Sequence, residues 1–316
     1  MDDKRKLTLL AILSLLFITG YLVWGLNSRN WDYALIRRLP RTLAMIATGA
    51  GIGVSTVIFQ TITHNRILTP GVMGLDSLYL LVQTGLVFLL GSQHQLVYAK
   101  GWNFLVAVGL MILFAMVFFR LLFQGEGRDL FFLLLVGLIL GTLFSSFTSF
   151  MQMVMDPNEF LTLQNRMLAS FNNLDTRLLP LALILLGGAI LYTRSFWSRL
   201  DVLSLGREQA INLGVDYEAI VYRMLMVIVI LVSVATALVG PLAFLGLLTA
   251  NLARESLGGY QHSKLLLGAS LYSILFLSGG QLLVEHIFNF ATPLSILINL
   301  VGGSYLIRLL LRESVD

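Results

Sequence analysis

Apolar runs with almost no charge recur along the whole chain. Crossing the hydrocarbon core of a bilayer, about 30 Å thick, takes about 20 apolar helical residues. Ten stretches approach or reach that length: 7–26, 42–62, 72–91, 103–123, 130–154, 178–197, 217–239, 242–253, 264–286 and 294–311. Because a backbone in lipid must satisfy its own hydrogen bonds, the sequence predicts an all-α polytopic membrane protein. About ten transmembrane helices form one domain over residues 1–316.

The scarcity of charge excludes several classes of protein. Hydrophobic residues make up 57% of the chain and charged residues only 12%, whereas soluble domains carry roughly 25% charged residues. A cytosolic enzyme, a secreted scaffold and a disordered tail are therefore excluded. The basic residues stand singly between apolar runs and form no patch, so no nucleic-acid partner is expected.

Three segments need separate interpretation. The first run follows basic residues at positions 4–6, as in a signal peptide, but it is too long for that class and no small-x-small cleavage site follows it. We therefore expect an uncleaved span. Residues 242–253 are short and begin after Gly240-Pro241, which predicts a broken or partial helix. Residues 160–173 are too polar to span.

Lysine and arginine predict the orientation. With ten spans both termini lie on one side, and segments on that side hold 14 of the 21 basic residues. Cytoplasmic loops are enriched in these residues, so both termini are expected to be cytoplasmic. Four of the seven outer residues, Arg29, Arg37, Arg38 and Arg41, crowd together, and this cluster suggests a function.

Several predicted spans carry polar stripes at helical spacing. The fifth has Ser145, Thr148, Ser149 and Gln152, the second has Gly49, Gly53, Thr56 and Gln60, and the ninth has Ser270, Ser273 and Gln281. Either the stripes pack helices closely, or they line a polar passage. Candidate passage-lining residues are Gln60, Asp76, Ser145, Ser149, Gln152 and Asn299.

Charges within the predicted spans are scarce, and Asp76, near the inner end of the third span, stands out because acids inside a membrane are functional candidates by default. The alternative is a structural pair with Arg66 or Arg254. No chain of buried ionisable residues accompanies Asp76, so proton- or sodium-coupled transport has little to work with. Energy is therefore expected to come from a partner.

The chain itself offers no catalytic or cofactor site. It has no cysteine, its four histidines are far apart in sequence, and no phosphate-binding loop of the form GxxxxGK[ST] occurs. The glycines of residues 49–53 lie inside an apolar run and predict close helix packing. We expect no metal, no cofactor and no enzymatic activity.

The longest polar interruption on the inner side spans residues 194–216. Within it, LSLGREQAINLG predicts a short helix with Gly206 near its start, Glu208 in its first turn and Gly214 after its end. Apolar residues alternate with charged ones. Such an amphipathic segment either fits the groove of a partner protein or lies flat on the membrane surface.

This segment resembles the coupling helices of the iron-siderophore and cobalamin permease family of type II ABC importers, whose pattern is L-x-L-G-x-x-x-A-x-x-L-G. Three more stretches resemble the family: Arg38-Leu39-Pro40-Arg41 before the second span, NRILTPGVMG from Asn65, and GPLAFLGLLTANLAR from Gly240. The chain departs from the pattern at Arg66, where the family has Pro, at Ala250-Asn251, where it has Pro-His, and near Arg166 and Ala169. GVMGLDSLYLL and MDPNEFLTLQNRMLASFNN resemble the branch that handles catecholate-type ferric siderophores.

The resemblance implies a complex of four kinds of subunit. Two ten-span permeases, here paralogues rather than identical copies, would surround a pathway in the bacterial cytoplasmic membrane. Two ATPases carrying ATP and Mg would lie below, and a substrate-binding protein would dock above on Arg38 and Arg41, assisted by Arg37. The residues implied in ATPase coupling are Leu203, Leu205, Gly206, Arg207, Glu208, Ala210, Leu213 and Gly214.

Two alternatives remain. A secondary transporter of a small organic solute would also have about ten spans, and Pro70-x-x-x-Gly74-Leu75 and Pro241-x-x-x-x-Gly246-Leu247 suggest a core that resembles an inverted repeat. An ABC permease for cobalamin or haem would share the same motifs.

Overall fold

The computed structural model describes residues 3–25, 31–123 and 130–313, and these residues form helices and connecting segments without any strand. Arg29 and Arg128 lie outside the described residues. The helices are α1 (Asp3–Val23), α2 (Trp31–Thr63), α3 (Leu75–Leu90), α4 (Gln95–Tyr98), α5 (Lys100–Phe123), α6 (Leu130–Val154), α7 (Pro157–Met167), α8 (Leu179–Thr193), α9 (Trp197–Leu203), α10 (Arg207–Asn212), α11 (Tyr217–Val239), α12 (Ala243–Ser256), α13 (His262–His286) and α14 (Leu294–Glu313). Short 3₁₀ turns cover Pro70–Met73 and Arg194–Phe196.

The all-α membrane fold with about ten spans is confirmed. Within the described ranges, eight helices are long and apolar enough to cross a bilayer, and one of these spans continues from α8 through α9. The shorter apolar helix α3, of 16 residues, and the 14-residue α12, which covers most of the eighth predicted run, bring the set to ten. Helix α12 is short, as the sequence predicted, and the polar stretch 160–173 is no span: only its first part lies in a helix, the eleven-residue α7.

The second helix is longer than the sequence predicts. The apolar run begins at residue 42, but α2 begins at Trp31 and contains Pro40. Proline removes one intrahelical hydrogen bond without ending this helix. The arginines at 37, 38 and 41 therefore lie on the first turns of α2 and not on a loop before it, which corrects the placement of the arginine motif.

Helices α2 and α13 approach each other closely at the centre of the bundle. A Cβ on Gly53 would lie 2.8 Å from the carbonyl oxygen of Ala269, and one on Gly49 would lie 3.0 Å from Leu277 Cδ1. Ser273 Oγ, also on α13, donates to Thr249 Oγ1 of α12 at 2.9 Å. The stripes on the second and ninth predicted spans thus pack helices together, as small residues commonly do in membranes.

A second close contact joins α6 to the turn before α3. Gly74 has φ +79°, and a Cβ there would lie 3.1 Å from Gly141 Cα, while a Cβ on Gly137 would lie 3.0 Å from Met73 Cα. Since only glycine accepts both the backbone angle and the proximity at position 74, this turn fixes where the polar part of α6 stands.

Helix α1 lies at the periphery and packs along α13. Ser14 Oγ donates to the carbonyl of Leu271, Lys6 Nζ donates to the carbonyl of Ser256, and Lys264 forms an ion pair with Asp3 at 3.0 Å. The start of α1 and the start of α13 therefore share one face of the bundle. The same face carries α9 and α10, which belong to the segment 194–216 that the sequence predicts on the cytoplasmic side. We therefore call it the inner face.

Candidate functional site

Arg38 is occupied by contacts within the chain at the opposite, outer face. Its guanidinium forms an ion pair with Glu285 of α13, and the two side chains are only 11% and 13% exposed. It also donates to the carbonyl of Trp24 at 2.6 Å and lies 5.6 Å from the ring centre of Tyr21. A cation at a helix C-terminus binds the free carbonyls there, so Arg38 fastens α1 and α13 to α2. We call this group the outer clasp.

Arg37 and Arg41 instead face an open outer cleft of about 460 Å³. Asn172, Asn173 and Gln281 also line it. Arg41 donates to the carbonyl of Asn172 at 3.4 Å, and Gln281 Nε2 donates to Asn172 Oδ1 at 3.1 Å. The cleft is thus polar and positively charged. Of the three arginines that the sequence singled out, two line it and the third lies in the outer clasp.

The short helix predicted at the inner face is present as α10. Gly206 precedes it at φ +108°, and Glu208 lies in its first turn. Gly214 follows at φ +80°, where its N–H donates to the carbonyl of Ile211 at 2.9 Å and that of Val215 donates to Ala210 at 3.0 Å. This paired arrangement is the Schellman ending that glycine favours. The cap was therefore correctly predicted from the sequence.

The α9–α10 segment divides its apolar residues between two surroundings. Leu203 and Ala210 are fully buried, whereas Leu205, Ile211 and Leu213 are 57%, 47% and 62% exposed. Arg207 and Glu218 form an exposed ion pair at 3.2 Å beside them. The buried residues hold the segment against the bundle, and the exposed ones form an apolar knob, which we define as Leu205, Ile211 and Leu213.

The polar stripe on α6 is split in the same way. Thr148 is buried, whereas Ser145 and Ser149 are exposed and Gln152 is half-buried. Ser145 Oγ donates to Ser77 Oγ at 3.1 Å, and Gln152 Nε2 lies 3.5 Å from Met167 Sδ. Asn299 on α14 is also exposed. These polar side chains are therefore available to a passage or a second subunit.

The other two passage candidates are placed differently. Gln60 is buried at the inner end of α2, where its Nε2 donates to the carbonyl of Arg66 at 2.6 Å and its Oε1 accepts from Arg254 Nε at 3.3 Å. Asp76 lies in the first turn of α3, with its carboxylate beside Gly71. It forms no ion pair with Arg66 or Arg254, both of which the structure describes. The structural pair considered as its alternative role is therefore absent.

A hydrogen-bonded group that the sequence did not predict links α9 to α2 and α13. The backbone N–H of His262 donates to Asp201 Oδ1 at 2.7 Å, and His262 Nδ1 lies 2.7 Å from the same oxygen. On its other side, His262 Nε2 lies 2.7 Å from Thr61 Oγ1. We call Asp201, His262 and Thr61 the inner latch. A single histidine and a single acid far apart in sequence carried no signal of this contact.

In the ranges that the structure describes, no three His, Asp or Glu side chains are arranged to hold a metal ion. The sites that stand out are therefore the outer cleft, the polar stripe of α6, and the apolar knob at the inner face.

The chain is similar in sequence to a family of transport proteins over nearly its whole length. A sequence model of the FecCD transport family matches residues 6–312. The petrobactin import system permease protein YclO of Bacillus subtilis (strain 168) is 53% identical over 314 residues, covering 99% of each chain. FatC, a petrobactin import system permease protein of Bacillus anthracis, is 33% identical, covering 97% of this chain and 88% of FatC. A second such protein of that organism, FatD, is 27% identical over 96% and 88%.

The fold also matches a solved structure. A metal-chelate type ABC transporter in an inward-facing conformation superposes with a TM-score of 0.85 at 23% identity, covering 98% of this chain and 99% of the other. At that identity the match establishes the shared fold alone.

Proposed function

The chain belongs to the FecCD transport family, the family that its four motifs indicated, and from this premise we propose that it is the permease subunit of an ATP-driven importer of a ferric siderophore. The proposed cargo is ferric petrobactin, because two relatives with that name cover nearly the whole chain. This agrees with the catecholate type expected from the sequence. The proposed location is the bacterial cytoplasmic membrane, with the inner face in the cytoplasm.

The observation that carries this proposal is the apolar knob. Leu205, Ile211 and Leu213 are exposed on a capped, well-formed segment at the inner face. Exposed apolar groups on an ordered surface commonly mark a protein interface. A cytoplasmic ATPase is the partner that an ATP-driven importer requires when its permease has no nucleotide site of its own, and it would supply ATP and Mg.

Each remaining partner corresponds to a surface. A binding protein with acidic residues suits the positively charged outer cleft, since charge complementarity speeds and orients docking. A second permease suits the exposed polar stripe of α6 with Asn299. A paralogue is favoured because FatC and FatD are two different permeases named for one import system. ATP-driven closure of the ATPases would displace α9 and α10 and switch the pathway between two states.

The test is reconstitution of this chain with its second permease, ATPase and binding protein in liposomes. Ferric petrobactin on the binding protein is expected to stimulate ATP hydrolysis and to enter only when ATP is supplied. Cobalamin and haem, each with the same binding protein, serve as matched cargo controls. Uptake driven by a proton or sodium gradient without ATPase would instead establish a secondary transporter.

A further inference from the structure

The helix pair α2 and α13 runs from the outer cleft to the coupling segment as a single packed unit. Its outer ends carry Arg41 and Gln281 at the cleft and are joined by the ion pair of the outer clasp. In the middle, Gly53 meets the backbone of Ala269 directly. Closely packed interiors transmit strain, so we expect a movement at one end of this pair to reach the other end.

The inner end of this pair is bound to α9 by the inner latch. Asp201 Oδ1 accepts two bonds, from the backbone N–H and from the ring of His262. The residue before α13, Gln261, makes no capping bond with its own side chain. Asp201 therefore provides the cap for α13 from another helix, where a negative charge at a helix N-terminus is favourable.

The latch continues from α13 to α2. A carboxylate only accepts, so the proton on His262 Nδ1 faces Asp201, and Nε2 bonds with the Thr61 hydroxyl. The Thr61 hydroxyl carries one proton, for which Nε2 and Val57 O, 2.9 Å away, are alternative acceptors, and its oxygen accepts from Arg254 Nη2 at 3.4 Å. The imidazole is 1% exposed. Buried, fully bonded polar networks fix one arrangement of their members.

We propose that Asp201, His262 and Thr61 are positioning residues that carry the docked state of the binding protein from the α2–α13 pair to the α9–α10 segment. The α9 helix leads directly into the apolar knob, so the latch lies between the docking surface and the ATPase joint. Breaking it leaves both ends intact and disconnects them. This inference rests on the proposed function.

The experiment compares the reconstituted wild-type complex with complexes carrying Asp201→Ala or Thr61→Val. The readout is the ratio of ATP hydrolysis with saturating cargo-loaded binding protein to hydrolysis without it. Couplings between protein sites typically amount to 5–150-fold, and we expect each variant to lower this ratio about tenfold. Thr61→Ser keeps the hydroxyl and is expected to restore it.

A matched control comes from the same end of α13. Lys264 forms its ion pair with Asp3 of α1 at 3.0 Å and is not a member of the inner latch, so Lys264→Gln removes an ion pair of α13 and keeps all three latch side chains. Its stimulation ratio should equal that of the wild type. If Lys264→Gln lowers the ratio as much as Asp201→Ala, the effect is general loosening of α13 and the proposal is wrong.

A double-mutant cycle distinguishes the loss of coupling through the inner latch from a general loss of protein stability. In one series, the Asp201→Ala/Thr61→Val double variant should lose no more than either single variant, as expected for members of one network. Full stimulation in Asp201→Ala, or additive losses in the double variant, overturns the proposal. A wild-type complex that cargo does not stimulate at all would overturn the proposed function instead, so the two failures are distinguishable.

Discussion

Arg38 and Arg41 lie three residues apart on α2, yet their guanidinium groups have different partners. Arg38 is paired with Glu285 and mostly buried, whereas Arg41 reaches into the outer cleft. The resemblance of the sequence motif to the permease family implies that both arginines dock the binding protein. The structure gives Arg38 an internal role, so the two positions are expected to respond differently to substitution.

Charge reversal at these positions should therefore separate docking from folding. Arg41→Glu is expected to raise the binding-protein concentration for half-maximal ATPase stimulation about tenfold, and added salt should narrow the gap from the wild type because exposed charges are screened. Arg38→Glu places two carboxylates together, and losing one partner of a buried pair costs about 3–5 kcal/mol. Thermal unfolding of the purified subunit is expected to detect that loss.

The double exchange Arg38→Glu/Glu285→Arg is the matched control. It restores an ion pair between α2 and α13, so most of the lost thermal stability should return. If this folded double variant has the docking defect while Arg41→Glu docks normally, then Arg38 is the docking residue and our assignment of the cleft is wrong.

On the scale of elements, the α9–α10 segment combines a packed side with an exposed side. Ala210 is fully buried, and Leu213 is 62% exposed, although the two are three residues apart. Position on the helix thus decides whether a residue supports the segment itself or contacts a partner.

Leu213→Asp is expected to abolish co-purification of the ATPase without changing the unfolding temperature of the permease. Charging a central apolar interface residue commonly costs about 2 kcal/mol, or roughly 30-fold in affinity. Asn212→Asp adds the same charge at the neighbouring exposed position and should have little effect. Ala210→Glu buries a charge and should destabilise the segment itself. Normal assembly and transport by Leu213→Asp would favour a helix lying on the membrane surface.

The sequence predicts a feature well when the residues that form it are close together along the chain. The Schellman ending at Gly214 and the short α12 depend on neighbouring residues, and both were predicted. The Arg38–Glu285 and His262–Asp201 contacts join residues 247 and 61 positions apart. No local pattern encodes them, because they arise only when the helices pack.

On the scale of the whole molecule, the exposed surface of α6 presents two kinds of side chain. Ser145 and Ser149 form a polar strip, while Phe147, 53% exposed, points away from it. The strip would be poorly solvated by lipid, whereas the phenyl ring suits lipid. One side of α6 is thus expected to face water and the other lipid, and a water-soluble reagent should react differently with the two.

The absence of native cysteine makes this difference measurable. In the assembled complex, the Ser149→Cys thiol is expected to react with a water-soluble maleimide at least about tenfold faster than the Phe147→Cys thiol, since the reactive thiolate does not form in hydrocarbon. Both positions are exposed and two residues apart, so they control for depth in the membrane. A Ser149→Cys thiol that reacts as slowly as the Phe147→Cys thiol would place the strip outside any aqueous passage. The inverted repeat that the sequence suggests from the stretches beginning at Pro70 and Pro241 stays a prediction.

The peripheral contacts of α1 also constrain how the protein is made. Its hydrogen bonds reach Ser256 and Leu271, 250 and 257 positions further along the chain. During synthesis these partners emerge long after α1, whereas α2, whose Arg38 binds the carbonyl of Trp24, follows α1 directly. Only 11% of the 18-residue apolar window of α1 is buried even in the finished fold. Most of this helix is therefore suited to contact with lipid before the later helices arrive. Helix α1 therefore pairs with α2 early and gains its contacts with α12 and α13 only when those late helices are complete.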